Sequence, residues 1–154
     1  MIDIGEPPFE CLSNFEANKF VFRGIACASM EGLLQSLKYE NSDTQRRVTL
    51  LVGIKAKRKG QRKKWYLTHT LYWQGEKLCR FGSAYQALIT EAFDALFEQS
   101  SHFREQLEKT GRTSLCHSKG KSDPKYTILT EKEFINQLYR LRDKLPLDNV
   151  RTLP

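Results

Sequence analysis

A chain of 154 residues, 40% hydrophobic and 11% aromatic, is long enough to bury a core and reads as a single domain over 1–154. It contains no run of about 18 apolar residues, which excludes a transmembrane helix. Its N-terminus, MIDIGEPPFECLSNF, lacks the basic-then-apolar order of a signal peptide, so a cytoplasmic protein is expected. The net charge is +7 and is concentrated in one block of lysines and arginines.

The segment from Phe9 to Phe15 is irregular and carries Ser13 and Asn14. NKFVFRGIACA has β-branched and aromatic residues on either side of Arg23-Gly24, the pattern of two short strands and a tight turn. Ser29 then stands where an N-cap belongs, and Met30, Leu33, Leu34 and Leu37 recur at helical spacing. A second helix is expected from Asp43 to about Lys57, with Val48, Leu51 and Val52 on one side. Thr68 to Phe81 reads as a hairpin turning at Gln74-Gly75. Ser83 and Gln86 have the spacing of a capping box. The helix they open carries Tyr85, Leu88, Ile89, Ala92, Phe93, Leu96 and Phe97 as an apolar stripe. A short helix with Phe103 and Leu107 should end at Thr110-Gly111. The polar loop HSKGKSDPKYT follows. Thr130 and Glu133 suggest another capping box, opening a helix with Phe134, Leu138, Leu141 and Leu145 that Pro146 stops. The expected class is α+β, predominantly helical, with a few short strands in one small sheet.

Two constellations carry chemistry. Glu31, Gln35 and Lys38 lie at i, i+4 and i+7, so their side chains fall within about 60° of one another on a helix. Such a stripe is either a solvated salt-bridge row or one wall of a site. The second constellation is KAKRKGQRKKW, where Lys55, Lys57, Arg58, Lys59, Arg62, Lys63 and Lys64 crowd together before Trp65 and Tyr66. It suits polyphosphate binding with stacking on bases, or else an exposed basic loop. Cys11, Cys27, Cys79 and Cys116 form no CxxC pair, and His69, His102 and His117 have no zinc-type spacing. No carboxylate cluster suits a metal. Neither a metal nor another cofactor is expected, and the thiols fit a reducing compartment.

The order of Leu12-Ser13-Asn14-Phe15, an apolar hairpin, and Ser29-Met30-Glu31 with Gln35 and Lys38 in the next turns resembles the NADAR family of YbiA-like proteins. The resemblance continues through Gly53, Ala56, Lys57 and Gly60, then Leu107, Thr110 and Gly111, to about Arg142. The sequence departs from the family pattern in places. Gly32 stands where the family has His after the glutamate. Asp123-Pro124-Lys125-Tyr126-Thr127 stands where it has D-x-x-W-G, and His117 stands near an upstream glutamate position. These departures suit a divergent, phage-borne branch, which would work in the host cytoplasm.

The resemblance implies an N-glycosidic bond hydrolase acting on ADP-ribose attached to guanine bases of nucleic acid, or on ribosylated intermediates of riboflavin biosynthesis. The basic block favours ADP-ribosylated nucleic acid as substrate, for an enzyme expected to be a monomer. A non-catalytic module that binds nucleic acid or ADP-ribose is the competing class. Cleavage builds positive charge at the ribose C1′, which a carboxylate stabilises, so Glu31 is the candidate catalytic acid–base group. Lys38 is the second catalytic candidate, as a diphosphate-binding ammonium or as an amine forming a Schiff base at C1′. Asn14 and Gln35 suit ribose hydroxyls. Tyr126 suits stacking on a base. Asp123 suits ribose or base edges, or simply the turn before Pro124. Lys57, Arg58, Lys63 and Lys64 are expected to hold nucleic acid outside the reacting centre.

Overall fold

The computed structural model describes residues 1–146; the last eight positions of the expected domain lie outside the described residues. Among the described residues six α-helices carry most of the regular structure. They are α1 (Met30–Ser36), α2 (Ser42–Val48), α3 (Gly53–Gln61), α4 (Ser83–Gln99), α5 (Ser101–Lys109) and α6 (Glu131–Arg142). The strands are β1 (Ile2–Asp3), β2 (Phe20–Phe22), β3 (Ile25–Cys27), β4 (Thr70–Trp73), β5 (Glu76–Cys79) and β6 (Leu115–Cys116).

The strands do not form one sheet, as the sequence led us to expect. They form three separate two-stranded ribbons among the described residues: β1 with β6, β2 with β3, and β4 with β5. The two hairpins turn where Arg23-Gly24 and Gln74-Gly75 predict. Both turn residues in each have positive φ, 48° and 81° in the first and 44° and 93° in the second. That is the backbone whose twist matches two antiparallel strands. The parallel β1–β6 bridge pairs Ile2 with Leu115 and Asp3 with Cys116. Two residues per strand are too few for a period-2 pattern to reveal.

The expected helix from Asp43 to Lys57 is in fact two helices. After α2 the chain turns back to β3, with the Ala28 N–H donating to the Thr49 carbonyl and the Thr49 hydroxyl donating to the Ala26 carbonyl. Gly53, at φ 58°, begins α3 in a conformation that a side chain disfavours. The basic block is therefore mostly the helix α3, not a loop. The Ser83–Gln86 capping box also does not form. Gly82 is the N-cap of α4, without a side-chain cap, and Gln86 donates to Glu133 instead. The Thr130–Glu133 capping box does form, with both reciprocal hydrogen bonds.

Helix α4 is the central member and touches β2, β5, α1, α5 and α6. Its Tyr85, Leu88, Ile89, Ala92, Phe93 and Leu96 are buried, and Phe97 packs partly buried beside them. Gly111, at φ 59°, is the left-handed residue just beyond the Thr110 cap of α5. On the other side α1 packs between α4, α2 and α3, and every one of its residues is buried.

Candidate active site

Because α1 is buried all round, its polar stripe cannot be a solvated salt-bridge row. Glu31 is 8% exposed, Gln35 4% and Lys38 9%. Ser29 caps the helix, accepting from the Gly32 N–H at 3.0 Å and donating to the Leu51 carbonyl at 2.9 Å. The helix ends at Ser36, and Lys38 follows in a tightened turn, its N–H donating to the Gln35 carbonyl. That turn keeps Lys38 on the same wall as Glu31 and Gln35.

The wall faces a cleft of about 230 Å³. The N-terminal loop supplies one edge and is fixed to α1 directly, because the Glu31 N–H donates to the Asn14 carbonyl at 3.0 Å. Helix α3 supplies another through Lys57 and Gln61, and the segment from His117 to Thr130 closes the far side. Asn14, Glu31, Gln35, Lys38, Lys57 and Tyr126 thus surround one space.

Four predicted site residues do not line this cleft, and one predicted role changes. Asp123 is not among the cleft-lining residues; its carboxylate accepts from the Lys125 N–H at 2.9 Å and its carbonyl from the Tyr126 N–H. Arg58 is exposed on α3, while Lys63 and Lys64 line a separate cavity. Lys57, assigned from sequence to the outer basic surface, instead turns into the cleft. The signal for that was present. Gly53, Ala56 and Gly60 recur at helical spacing, and such small residues mark close approach to a neighbouring helix. Lys57 and Gln61 lie one step round from that contact. A Cβ on Gly60 would fall 1.7 Å from Gln35 Oε1, so this glycine makes room for the Gln35 amide. His117 also lines the cleft, edge-on to Phe134 at 5.3 Å.

The electrostatics follow from burial. Burial pushes the Glu31 carboxyl above its ordinary value, while the Gln35 side chain and the ammonium groups of Lys38 and Lys57 favour the ionised form. Glu31 Oε2 and Gln35 Oε1 are buried with no hydrogen-bond partner. An unsatisfied buried polar atom costs about 1–3 kcal/mol unless a water or a ligand reaches it. Burial lowers Lys38 to about 8, with Lys57 lowering it further and Glu31 opposing. Its Nζ lies 5.8 Å from the Trp65 ring centroid. Burial also lowers the His117 imidazole, against the pull of Asp3 and Glu131. At the mouth Tyr126 is 66% exposed and its ring is tilted against Tyr66 at 5.8 Å, leaving an aromatic face open to solvent.

Gly32 has a local cause. A Cβ there would lie 2.5 Å from the Leu51 carbonyl oxygen and 2.8 Å from that of Thr49. The α2–α3 turn packs so closely on α1 that a histidine has no room at this position.

The sequence of residues 8–143 matches the family described as bacteriophage protein GP30.3. The 17.1 kDa protein of the Gp30–rIII intergenic region of Enterobacteria phage T4 is 37% identical over 140 residues, which cover 90% of this chain and 92% of that protein. Among solved structures, the NMR structure of the Escherichia coli protein YbiA superposes with a TM-score of 0.59 at 17% identity. The match covers 90% of this chain and 79% of YbiA.

Proposed function

Since the chain belongs to the bacteriophage GP30.3 protein family and has the YbiA fold, we propose that it hydrolyses the N-glycosidic bond between ADP-ribose and a guanine base of nucleic acid. The observation that carries this reading is the buried Glu31–Lys38 wall, which lines a cleft otherwise rich in ammonium groups and includes a carboxylate oxygen without a hydrogen-bond partner. A diphosphate-bearing substrate supplies the missing negative charge, and its ribose hydroxyls supply donors for the Glu31 carboxylate.

Glu31 stabilises the positive charge that grows at C1′ as the bond to the base breaks. Glu31 as the carboxylic acid gives its proton to the ring oxygen O4′, the C1′–O4′ bond breaks, and the lone pair of the base nitrogen makes C1′ an iminium carbon. Lys38, as the free amine, adds to C1′ and passes a proton through the Glu31 carboxylate to the base nitrogen. The C1′–N bond to the base then breaks, the base leaves neutral, and a protonated imine joins Lys38 to C1′. Water adds to that imine and restores both the amine and the sugar aldehyde, which recloses. Asn14 and Gln35 orient the ribose hydroxyls, and Tyr126 with Tyr66 offers a stacking face to the base. The chain is incubated with a guanine-ADP-ribosylated oligonucleotide and free ADP-ribose is measured. Release that depends on Glu31 is expected. Tight binding without release would instead make the protein a binding module.

A further inference from the structure

Lys38 borders a second cavity as well as the first. This basin, of about 210 Å³, opens beyond the cleft and is walled by Lys38, Lys63, Lys64, Trp65 and Glu40. Thr68, Thr70 and Tyr72 add hydroxyls to its rim. Three ammonium groups therefore meet one carboxylate. Among the described residues none of the four takes part in an ion pair, although ion pairs form elsewhere on the surface. The Lys63 Nζ lies 5.4 Å from the Tyr39 ring centroid, and Lys38 lies against the Trp65 ring with Glu31 acting on it from the cleft side. Clustered, unpaired cations repel one another, and an anion among them relieves that repulsion.

We infer that this basin is a phosphate subsite, held by Lys63 and Lys64 and joined to the cleft through Lys38. The inference rests on the proposed glycosidase reading for which molecule carries the phosphate, but not for the anion site itself. Lysine ammonium groups with hydroxyls around them suit a phosphate's several acceptor oxygens. Two sources share that chemistry. One is the diphosphate of an ADP-ribosyl group whose ribose lies against Glu31. The other is a backbone phosphodiester of the strand that carries it. In either case the basin fixes how far the glycosidic bond stands from Glu31.

The test is a ¹H–¹⁵N NMR titration of the full chain with inorganic pyrophosphate, then with ADP-ribose, then with an unmodified oligonucleotide. Saturable shifts at the Thr68 and Thr70 amides and the Trp65 indole are expected. Lys63→Ala/Lys64→Ala, with its fold checked by the dispersion of the same spectra, should weaken pyrophosphate binding about tenfold or more. Lys55→Ala/Arg58→Ala removes the same charge from the outer face of α3 and should change pyrophosphate binding by less than about twofold. Equal loss in both variants, or shifts that never saturate, overturn the subsite. Joint shifts of basin and cleft with ADP-ribose assign the diphosphate, and shifts with the oligonucleotide assign the backbone. Silence from both at the basin overturns the inference. Glycosidic turnover without anion binding at the basin sinks the subsite alone, whereas anion binding without turnover sinks the glycosidase reading and leaves the subsite standing.

Discussion

Glu31 and Lys38 occupy positions that stability alone would not choose. The folded chain holds the Glu31 proton to higher pH than the unfolded chain does. Stability therefore falls as pH rises from the ordinary value of 4.5 through the raised one. Glu31→Gln removes that penalty. It should leave the protein folded and raise its stability by about 1 kcal/mol in urea unfolding at pH 7. The same variant should lose about 10²-fold or more of turnover. Near-normal turnover would move the catalytic role elsewhere. Lys38 has the opposite linkage. Between about 8 and 10.5 the unfolded chain binds the proton that the folded chain has lost, so stability rises across that window. If the Lys38 amine forms the imine, single-turnover rates should climb as pH rises through about 8, and borohydride should trap a Lys38 adduct visible by mass spectrometry. A rate that falls across the same range, with Lys38→Arg still active and no adduct, would assign Lys38 to phosphate binding.

At the scale of elements, the cleft depends on two devices. The first is the close packing of α1 against α3 and the α2–α3 turn, which Gly32 and Gly60 allow. The obstacle at Gly32 is backbone, which cannot swing aside as a side chain can. Gly32→Ala should therefore destabilise the protein by about 1–3 kcal/mol and disturb Glu31 in the same turn; a denaturant midpoint unchanged from the parent would contradict this packing. The second device holds the segment that presents Tyr126. Arg80, 1% exposed, pairs with both Glu133 oxygens at 2.6 and 3.1 Å and donates from Nε to the Thr127 carbonyl. Beside it the Tyr85 hydroxyl donates to the Ile128 carbonyl, and the Arg80 guanidinium stacks 4.8 Å from the Tyr85 ring centroid. Burial works to raise the Glu133 carboxyl, but Arg80, the Thr130 N–H and Gln86 together hold it below its ordinary value. Its contribution is therefore complete above about pH 4.5 and is lost as pH falls through the lowered value. Arg80→Met removes the cation paired with Glu133, leaving only the Thr130 N–H and Gln86 to hold the carboxylate, and should cost about 3 kcal/mol, with a smaller acid-side dependence in urea titrations at about pH 3–6.

Across the whole molecule, positive charge is divided between roles. Lys57 faces Glu31, Lys63 and Lys64 border the basin, and Lys55, Arg58 and Arg62 remain on the outer face. A charge-removal test of long-range attraction must therefore spare Lys57. Neutralising Lys55, Arg58 and Arg62 together should weaken oligonucleotide binding and lower the slope of log affinity against log salt by about 0.7 per lost phosphate contact on a single strand. An unchanged slope would make these three residues a solvated surface only. Among the described residues no helix is long and apolar enough to cross a membrane.

The sequence by itself determined what local chemistry can encode. Residue order set both hairpin turns, because each needs two residues that tolerate positive φ. The N-cap at Ser29, the Thr130–Glu133 box and the stripe of α4 are likewise signals confined to one turn or one face. The spacing of Glu31, Gln35 and Lys38 was legible for the same reason, since helical periodicity alone puts them on one wall. Only the tertiary structure decided whether that wall meets water or a cleft, because burial depends on α3 and the 117–130 segment, which are distant in sequence. It also decided that Lys57 turns inward and that the helix expected through Lys57 breaks at Gly53. Both follow from the packing of α3 on α1, of which the spacing of Gly53, Ala56 and Gly60 is the local trace, whereas Asp123 is held by hydrogen bonds within its own turn.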